Sequence, residues 1–257
     1  MNTTDLSRFD ETLWKPRLDF LLSNTIAHVC TNQNYEGEIK NQGDKVKLPD
    51  NQDLIVDQKK FFAFKVLDML PTQTNESMLD AHLMNARKAI TEVEETYLLS
   101  QHNTVDVKNI IGSEFEPVEL TKENIYQHFV QLAATLKYHN TPSTSRFWVI
   151  INPWIESYLL QSTEFIGAHN VADETLREGA IGRIAGMDVL VSTNLTAVDG
   201  KYYVLAGTND AITFASQLAK IESLRDKDSF SDLVRGLYLY GAKTVQPKAL
   251  AKMVVKQ

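Results

Sequence analysis

Few side chains in this sequence are of types that do covalent or acid–base chemistry, and their spacing decides what they could do. Six histidines stand at positions 28, 82, 102, 128, 139 and 169. No two are three or four residues apart, so no helix offers a histidine pair to one metal ion. The one cysteine, Cys30, has only His28 near it in sequence. A thiol nucleophile needs a base within hydrogen-bond reach, and a free cysteine more often packs as a small hydrophobe. Cys30 is read as the latter. Glu94 and Glu95 form a carboxylate pair that falls on the polar side of a helical pattern, where solvation is the simplest expectation. Gly179, Gly182 and Gly186 are spaced G-x-x-G-x-x-x-G, not the G-x-G-x-x-G of a dinucleotide loop, and a β-rich segment follows them. They read as turn glycines that permit positive φ. Neither a G-x-S-x-G elbow nor a phosphate-binding G-x-x-x-x-G-K-[ST] loop occurs. No catalytic, metal or cofactor site is expected.

Composition narrows the class further. With 257 residues, 43% of them hydrophobic, the chain can bury a substantial core in one large domain or two intimate ones. The 26 basic and 33 acidic side chains give a formal charge of −7, which argues against a dedicated nucleic-acid binder. A single cysteine excludes an internal disulfide framework. The densest apolar run, Phe147–Ile151, is far short of the ~20 residues that cross a bilayer. Asp5, Arg8, Asp10 and Glu11 interrupt any secretory apolar core. A soluble protein made in a reducing cytoplasm is expected.

The elements that must carry the function follow from periodicity. Residues 1–34 mix Phe9, Leu13, Trp14, Leu18 and Leu22 with polar groups around Pro16, and read as an arm with little core of its own. Residues 35–66 read as an extended hairpin: Val46 and Leu48 alternate with Lys45 and Lys47, a polar turn spans 49–53, and alternation resumes through Phe62, Phe64 and Val66. From 75 to 100, Leu79, Leu83, Ala86, Ile90, Val93 and Tyr97 recur at steps of four and three. That predicts a helix about 39 Å long at ~1.5 Å per residue, capped by Thr74 or Asn75 and lying across a sheet. A second helix is expected over 122–138, capped by Thr121, with Ile125, Phe129, Leu132, Ala133 and Leu136 inside. A buried strand follows at 146–151, then a helix after Pro153 containing Trp154, Tyr158 and Leu159. Strands at 187–192 and 202–206 are expected to meet across a turn at Asp199-Gly200, with a short helix starting at Asn209 or Asp210. Strands at 217–224 and 230–240 would close around the charged turn Arg225-Asp226-Lys227-Asp228.

The order of these elements is the strongest signal. It is carried by Asn34-Tyr35-Glu36-Gly37-Glu38-Ile39-Lys40-Asn41, Gly43-Asp44-Lys45-Val46, and Val56-Asp57-Gln58-Lys59-Lys60-Phe61-Phe62-Ala63-Phe64-Lys65-Val66. Gly182-Arg183-Ile184-Ala185-Gly186-Met187, Ser192-Thr193-Asn194-Leu195 and Ala206-Gly207-Thr208-Asn209-Asp210-Ala211 continue it. Val234-Arg235-Gly236-Leu237-Tyr238-Leu239-Tyr240-Gly241-Ala242-Lys243 and Pro247 complete it. In this order, over nearly the whole chain, the sequence resembles the major capsid proteins of tailed double-stranded-DNA phages, which share the Hong Kong-97 type coat fold.

The resemblance implies an α+β fold with an N-arm (1–34), an E-loop (35–66), a peripheral domain (67–117) holding the spine helix (75–100), an axial domain (118–208), and a return to the peripheral domain (209–257). It implies a virion capsid protein made in the bacterial host cytoplasm, assembling as pentamers and hexamers into an icosahedral head around double-stranded DNA. A charge of −7 suits a wall that encloses duplex without holding it. Subunit interfaces would use Arg8, Trp14, Arg17, Lys45, Lys47, Asp50, Asp53, Arg183, Arg225 and Asp228. The E-loop is short at its tip between Val46 and Val56, so another element or a separate protein would reinforce the shell. No long N-terminal extension precedes the arm, which implies a separate scaffolding protein; portal and head-completion proteins are the other implied partners, and no membrane is. Two other readings stay open: an encapsulin-like compartment that packages an enzyme, and a monomeric α+β enzyme.

Overall fold

The structure is a computed structural model that describes residues 18, 22, 25–34, 39, 44–48, 52–67, 76–138, 145–162, 180–227 and 231–256. The chain divides into two compact units, one of residues 1–28, 33–93 and 214–242, the other of residues 29–32, 94–213 and 243–257. No described helix is long and apolar enough to cross a membrane.

In the first unit the alternation at 45–48 acts as period two demands. Strand β1 (Lys45–Leu48) turns Val46 and Leu48 inward and both lysines outward. It pairs antiparallel with β2 (Gln52–Ile55), which sets Lys47 opposite Asp53. Among the described residues, the pairing of the hairpin expected over 35–66 runs from Lys45↔Ile55 to Leu48↔Gln52. Strand β3 (Gln58–Leu67), the expected second arm, pairs with β12 (Ser231–Thr244) instead, from Gln58↔Tyr240 to Leu67↔Ser231. The reason is length: four-residue β1 is already matched by β2, and only a long strand can satisfy the backbone of β3. Strand β11 (Ile212–Arg225) flanks β12 on its other side, giving the order β11-β12-β3. Ser231 O accepts from the Asp226 amide at 3.0 Å across the charged turn. Gly241 lets the hairpin base approach β12, since a Cβ there would lie 2.6 Å from the Ile55 carbonyl oxygen. A short helix, α1 (Ile26–Cys30), and the long α2 (Glu76–Leu99) begin in this unit, their last residues belonging to the other, and Leu18 and Leu22 are helical as well. Leu83, Ala86 and Ile90 of the expected stripe are buried. The caps expected at Thr74 and Asn75 lie outside the described residues.

The second unit is built on an eight-stranded mixed sheet. Its main path runs β4 (Ile110–Ile111), β13 (Leu250–Lys256), β10 (Lys201–Thr208), β6 (Phe147–Ile151), β8 (Met187–Val191), β7 (Ala180–Ile184). Strand β5 (Val118–Glu119) also pairs β13, and β9 (Ala197–Val198) pairs β10. All five residues of β6 are buried, as a continuous apolar run in mid-sheet requires. Helix α3 (Ile125–Tyr138) buries Ile125, Phe129, Leu132, Ala133 and Leu136, the face that its sequence marks out. Thr121 Oγ1 accepts from the Asn124 amide at 3.3 Å while Asn124 Oδ1 accepts from the Thr121 amide at 2.7 Å, a reciprocal cap. Helix α4 (Pro153–Leu159) starts with proline in its first turn and the Asn152 side chain accepting from the Trp154 amide.

Two local expectations are corrected. The Asp199-Gly200 turn, with φ of 52° and 73°, joins β9 to β10, while β6 stands between β8 and β10 in the sheet. Proximity in sequence favours pairing these two apolar strands, but the buried run at 147–151 takes the place between them. Residues 209–211 form a turn that leads directly into β11, with no helix; the Ala211 carbonyl there accepts from the Val245 and Gln246 amides. Residues 214–242 fall in the first unit, and β13 sits inside the second unit's sheet, where it pairs β10 from Lys201↔Lys256 to Gly207↔Leu250.

Candidate assembly interface

Burial separates the charged groups into those that hold the fold and those that face outward. Glu94 and Glu95, expected in solvent, are 0% and 8% exposed. Ser192 Oγ donates to Glu95 Oε2 at 2.6 Å and Asn194 Nδ2 donates to the same oxygen at 3.0 Å. The Ser192-Thr193-Asn194 string thus receives a carboxylate from a helix far away in sequence. Asp188 on β8 is a second internal acid. Arg146 Nε and Arg183 Nε each lie 2.5 Å from one of its oxygens, and the carboxylate side chain is only 3% exposed. Register explains the convergence: β7 places Arg183 opposite Asp188, while β6 places Trp148, two residues after Arg146, against the other side of Asp188. Ala185 and Gly186, with φ of 51° and 89°, make the two-residue turn between β7 and β8. Lys137 Nζ donates to the Ala185 carbonyl at 3.0 Å, tying α3 to that turn.

Cys30 is fully buried. Burial pushes its thiol well above the usual value, with Arg146 opposing and Glu95 and Asp188 assisting, so it packs as an inert hydrophobe. His102 is buried against the Tyr203 ring, centroids 4.5 Å apart, and its Nδ1 donates to the Leu99 carbonyl at 2.9 Å. Burial lowers its pKa, the Leu99 bond opposing and Lys252 assisting, which keeps the ring neutral. His139 and His169 lie outside the described residues. Among the described residues no three His, Cys, Asp or Glu side chains converge as metal ligands.

The outward groups form two surfaces, one on each unit. On the first, Lys45 Nζ stands 3.8 Å from Asp53 Oδ2, with Lys47 and half-exposed Ile55 beside them. The hairpin's apolar side is already covered within the chain, Val46 and Leu54 both at 0%. Its polar side, not its apolar side, faces outward. Strand β3 carries Phe61, 73% exposed, with Lys59 Nζ 5.1 Å from its ring. Across the sheet, Arg235 holds Glu222 by Nη2 at 2.6 Å and Nε at 2.8 Å, and Lys220 adds a third contact. These hydrogen bonds, Lys220 first, pull the Glu222 carboxyl below its usual value. Arg225 is exposed at the end of β11. On the second unit, Arg183 lies at the β7 edge and Phe115, 96% exposed, at the opposite edge. Arg8, Trp14, Arg17, Asp50 and Asp228 lie outside the described residues. Sequence reasoning missed Glu95, Asp188 and Phe115; the only available signal was that Ser192, Asn194 and Arg183 fall within the strings that carried the resemblance.

Comparison with known proteins bears on what such surfaces serve. The profile of the phage capsid protein family matches residues 76–253, well over half of the chain. The chain belongs to that family. Its fold is shared by solved structures of low sequence identity. A chain from Mycobacterium phage Che8 is 23% identical at a TM-score of 0.64, with 89% of this chain and 90% of that one covered. The capsid of cyanophage P-SCSP1u is 13% identical at a TM-score of 0.60, covering 88% and 80%. The holo-SrpI encapsulin complex of Synechococcus elongatus is 11% identical at a TM-score of 0.56, covering 81% and 77%. Comparison with curated protein sequences finds no match. The fold is thus the α+β coat fold of the Hong Kong-97 type, and the chain is a major capsid protein of phage shells, built from copies of itself. A capsid protein's site is its contact surface, and the exposed groups above are where such contacts can form.

Proposed function

We propose that this capsid protein assembles as pentamers and hexamers into an icosahedral head enclosing double-stranded DNA, after synthesis in the cytoplasm of a bacterial host. Its work is assembly and not catalysis. A separate scaffolding protein, a portal and head-completion proteins are its partners, and it encloses DNA without sequence-specific binding. In this reading 1–34 is the N-arm, 35–66 the E-loop, 67–117 the peripheral part with the spine helix, 118–208 the axial part, and 209–257 the returning segment. Arg8, Trp14, Arg17, Lys45, Lys47, Asp50, Asp53, Arg183, Arg225 and Asp228 are its interface residues. The observation that carries the reading is the family match, which runs from the long helix to the last strand.

The test is sedimentation velocity and electron microscopy of the full chain, with and without its scaffolding partner. Rings or closed shells are expected, and a single small species at every concentration would overturn the proposal. Nucleic acid inside particles purified from infected cells is the expected content; a protein cargo in its place would favour the encapsulin-like alternative.

A further inference from the structure

The eight-stranded sheet has two unlike edges. At one, the loop of residues 112–117 leaves β4 and returns as β5, both paired to β13. Gly112 permits the departure: its φ is +75°, and a Cβ would lie 3.0 Å from the Val254 carbonyl oxygen. The tip is a hydrogen-bonded turn. The Ser113 amide donates to the Glu116 carbonyl at 2.9 Å, and the Glu116 amide donates to Ser113 Oγ at 2.9 Å. That turn holds Phe115 out with 96% of its surface exposed. Glu114, Glu116 and Glu119 around it are exposed as well. A lone exposed apolar residue needs no explanation. An aromatic ring fixed at the apex of an ordered acidic turn has the make-up of an interface anchor.

At the opposite edge, β7 is the terminal strand of the path among the described residues. There the charge is reversed. The Arg183 side chain is 60% exposed although its Nε holds Asp188, and that of Arg146 is 45% exposed. Lys137 reaches the β7–β8 turn, and Tyr138 next to it is 88% exposed. Six strands separate the two edges by five steps, about 24 Å at ~4.8 Å per step.

We infer that the acidic, Phe115-bearing edge of one copy docks on the basic β7 edge of the next, with Phe115 against Tyr138 and Glu114 and Glu116 facing Arg183. This rests on the shell-forming reading and names which parts of the chain meet. Complementary charge selects a second copy as the occupant, since acid and base lie on one sheet and cannot meet within it. Because the surfaces differ and lie on opposite sides, the contact is head-to-tail. Head-to-tail contacts propagate and close into rings when the rotation allows.

The experiment uses two full-length variants, Phe115→Asp and Arg183→Ala, compared with the wild type by sedimentation velocity. Each variant alone should fail to form rings at concentrations about ten-fold above those at which the wild type does. Mixed one to one, they should give a dimer and stop there, because Phe115→Asp keeps an intact β7 edge and Arg183→Ala keeps an intact acidic edge. Should Arg183→Ala lose its circular-dichroism signature, Tyr138→Asp takes its place. Rings from Phe115→Asp at wild-type concentrations, or mixtures without dimers, would overturn the edge pairing while leaving the shell reading intact. A wild-type chain that never assembles would overturn both.

Discussion

Asp53 and Asp188 each face cationic side chains, in surroundings that differ by nearly everything that sets the strength of such contacts. Asp53 is 47% exposed at its side chain and lies 3.8 Å from a lysine that is itself 63% exposed. Water screens that pair and competes for both partners, so it contributes little to folding. Asp188 is 3% exposed and held at 2.5 Å by two guanidiniums. Its carboxylate has given up hydration, and the arginines replace it. The two sites divide the labour of a coat subunit. Internal charge fixes the position of β7 and its arginines, while the Lys45–Asp53 pair stays in water at the surface. The largest expected effect breaks the internal half of this contrast. Arg146→Ala with Arg183→Ala strands a buried carboxylate and should cost about 3–5 kcal/mol in urea denaturation. A loss under about 1 kcal/mol would mean that water already serves Asp188, and the contrast would fail.

Glu95 sharpens the comparison, because its partners are neutral. Both Ser192 Oγ and Asn194 Nδ2 donate to one oxygen of the carboxylate. Glu95→Gln can keep an acceptor at that place and loses only the charge assistance, an expected cost of about 1 kcal/mol. Glu95→Ala leaves both donors without it and should cost about 2–3 kcal/mol. Equal losses from the two variants, measured in the same denaturation assay, would show that the charge and not the hydrogen bonds holds the site.

Much of the fold was legible because it depends on local pattern. Helix α3 buries the five residues that its spacing marks out, and the alternation of Lys45 to Leu48 gave β1 its inside and outside faces. The Asp199-Gly200 turn was readable from residue type. What was illegible depends on partners remote in the chain. Glu94 and Glu95 look solvated on a helical wheel, yet one of Glu95's partners lies 97 residues away. Strand order failed for the same reason: β8 and β10 are close in sequence, with only two-residue β9 between them, and nothing there announces that β6 will be inserted. The candidate interface was legible only in part. Arg183 stands in a string that carried the resemblance, whereas Phe115 interrupts a polar loop without periodicity and becomes informative only once its exposure is known.

The smallest expected effect lies on the hairpin. Lys45→Ala removes one half of the exposed pair with Asp53, and its folding stability should stay within about 0.5 kcal/mol of the wild type in urea. Assembly is a different matter if Lys45 faces a neighbour. A charge at the rim of a contact acts on encounter, so its loss should slow the rise of light scattering more at low salt than at high salt, where the Debye length falls to roughly 3–10 Å. An unchanged rate at both salt levels would remove Lys45 from the interface and confine the hairpin's role to the packing of Val46 and Leu54 within its own chain. A slower rate at low salt alone would put surface and buried charge on opposite sides of one division, the first acting between copies and the second within each.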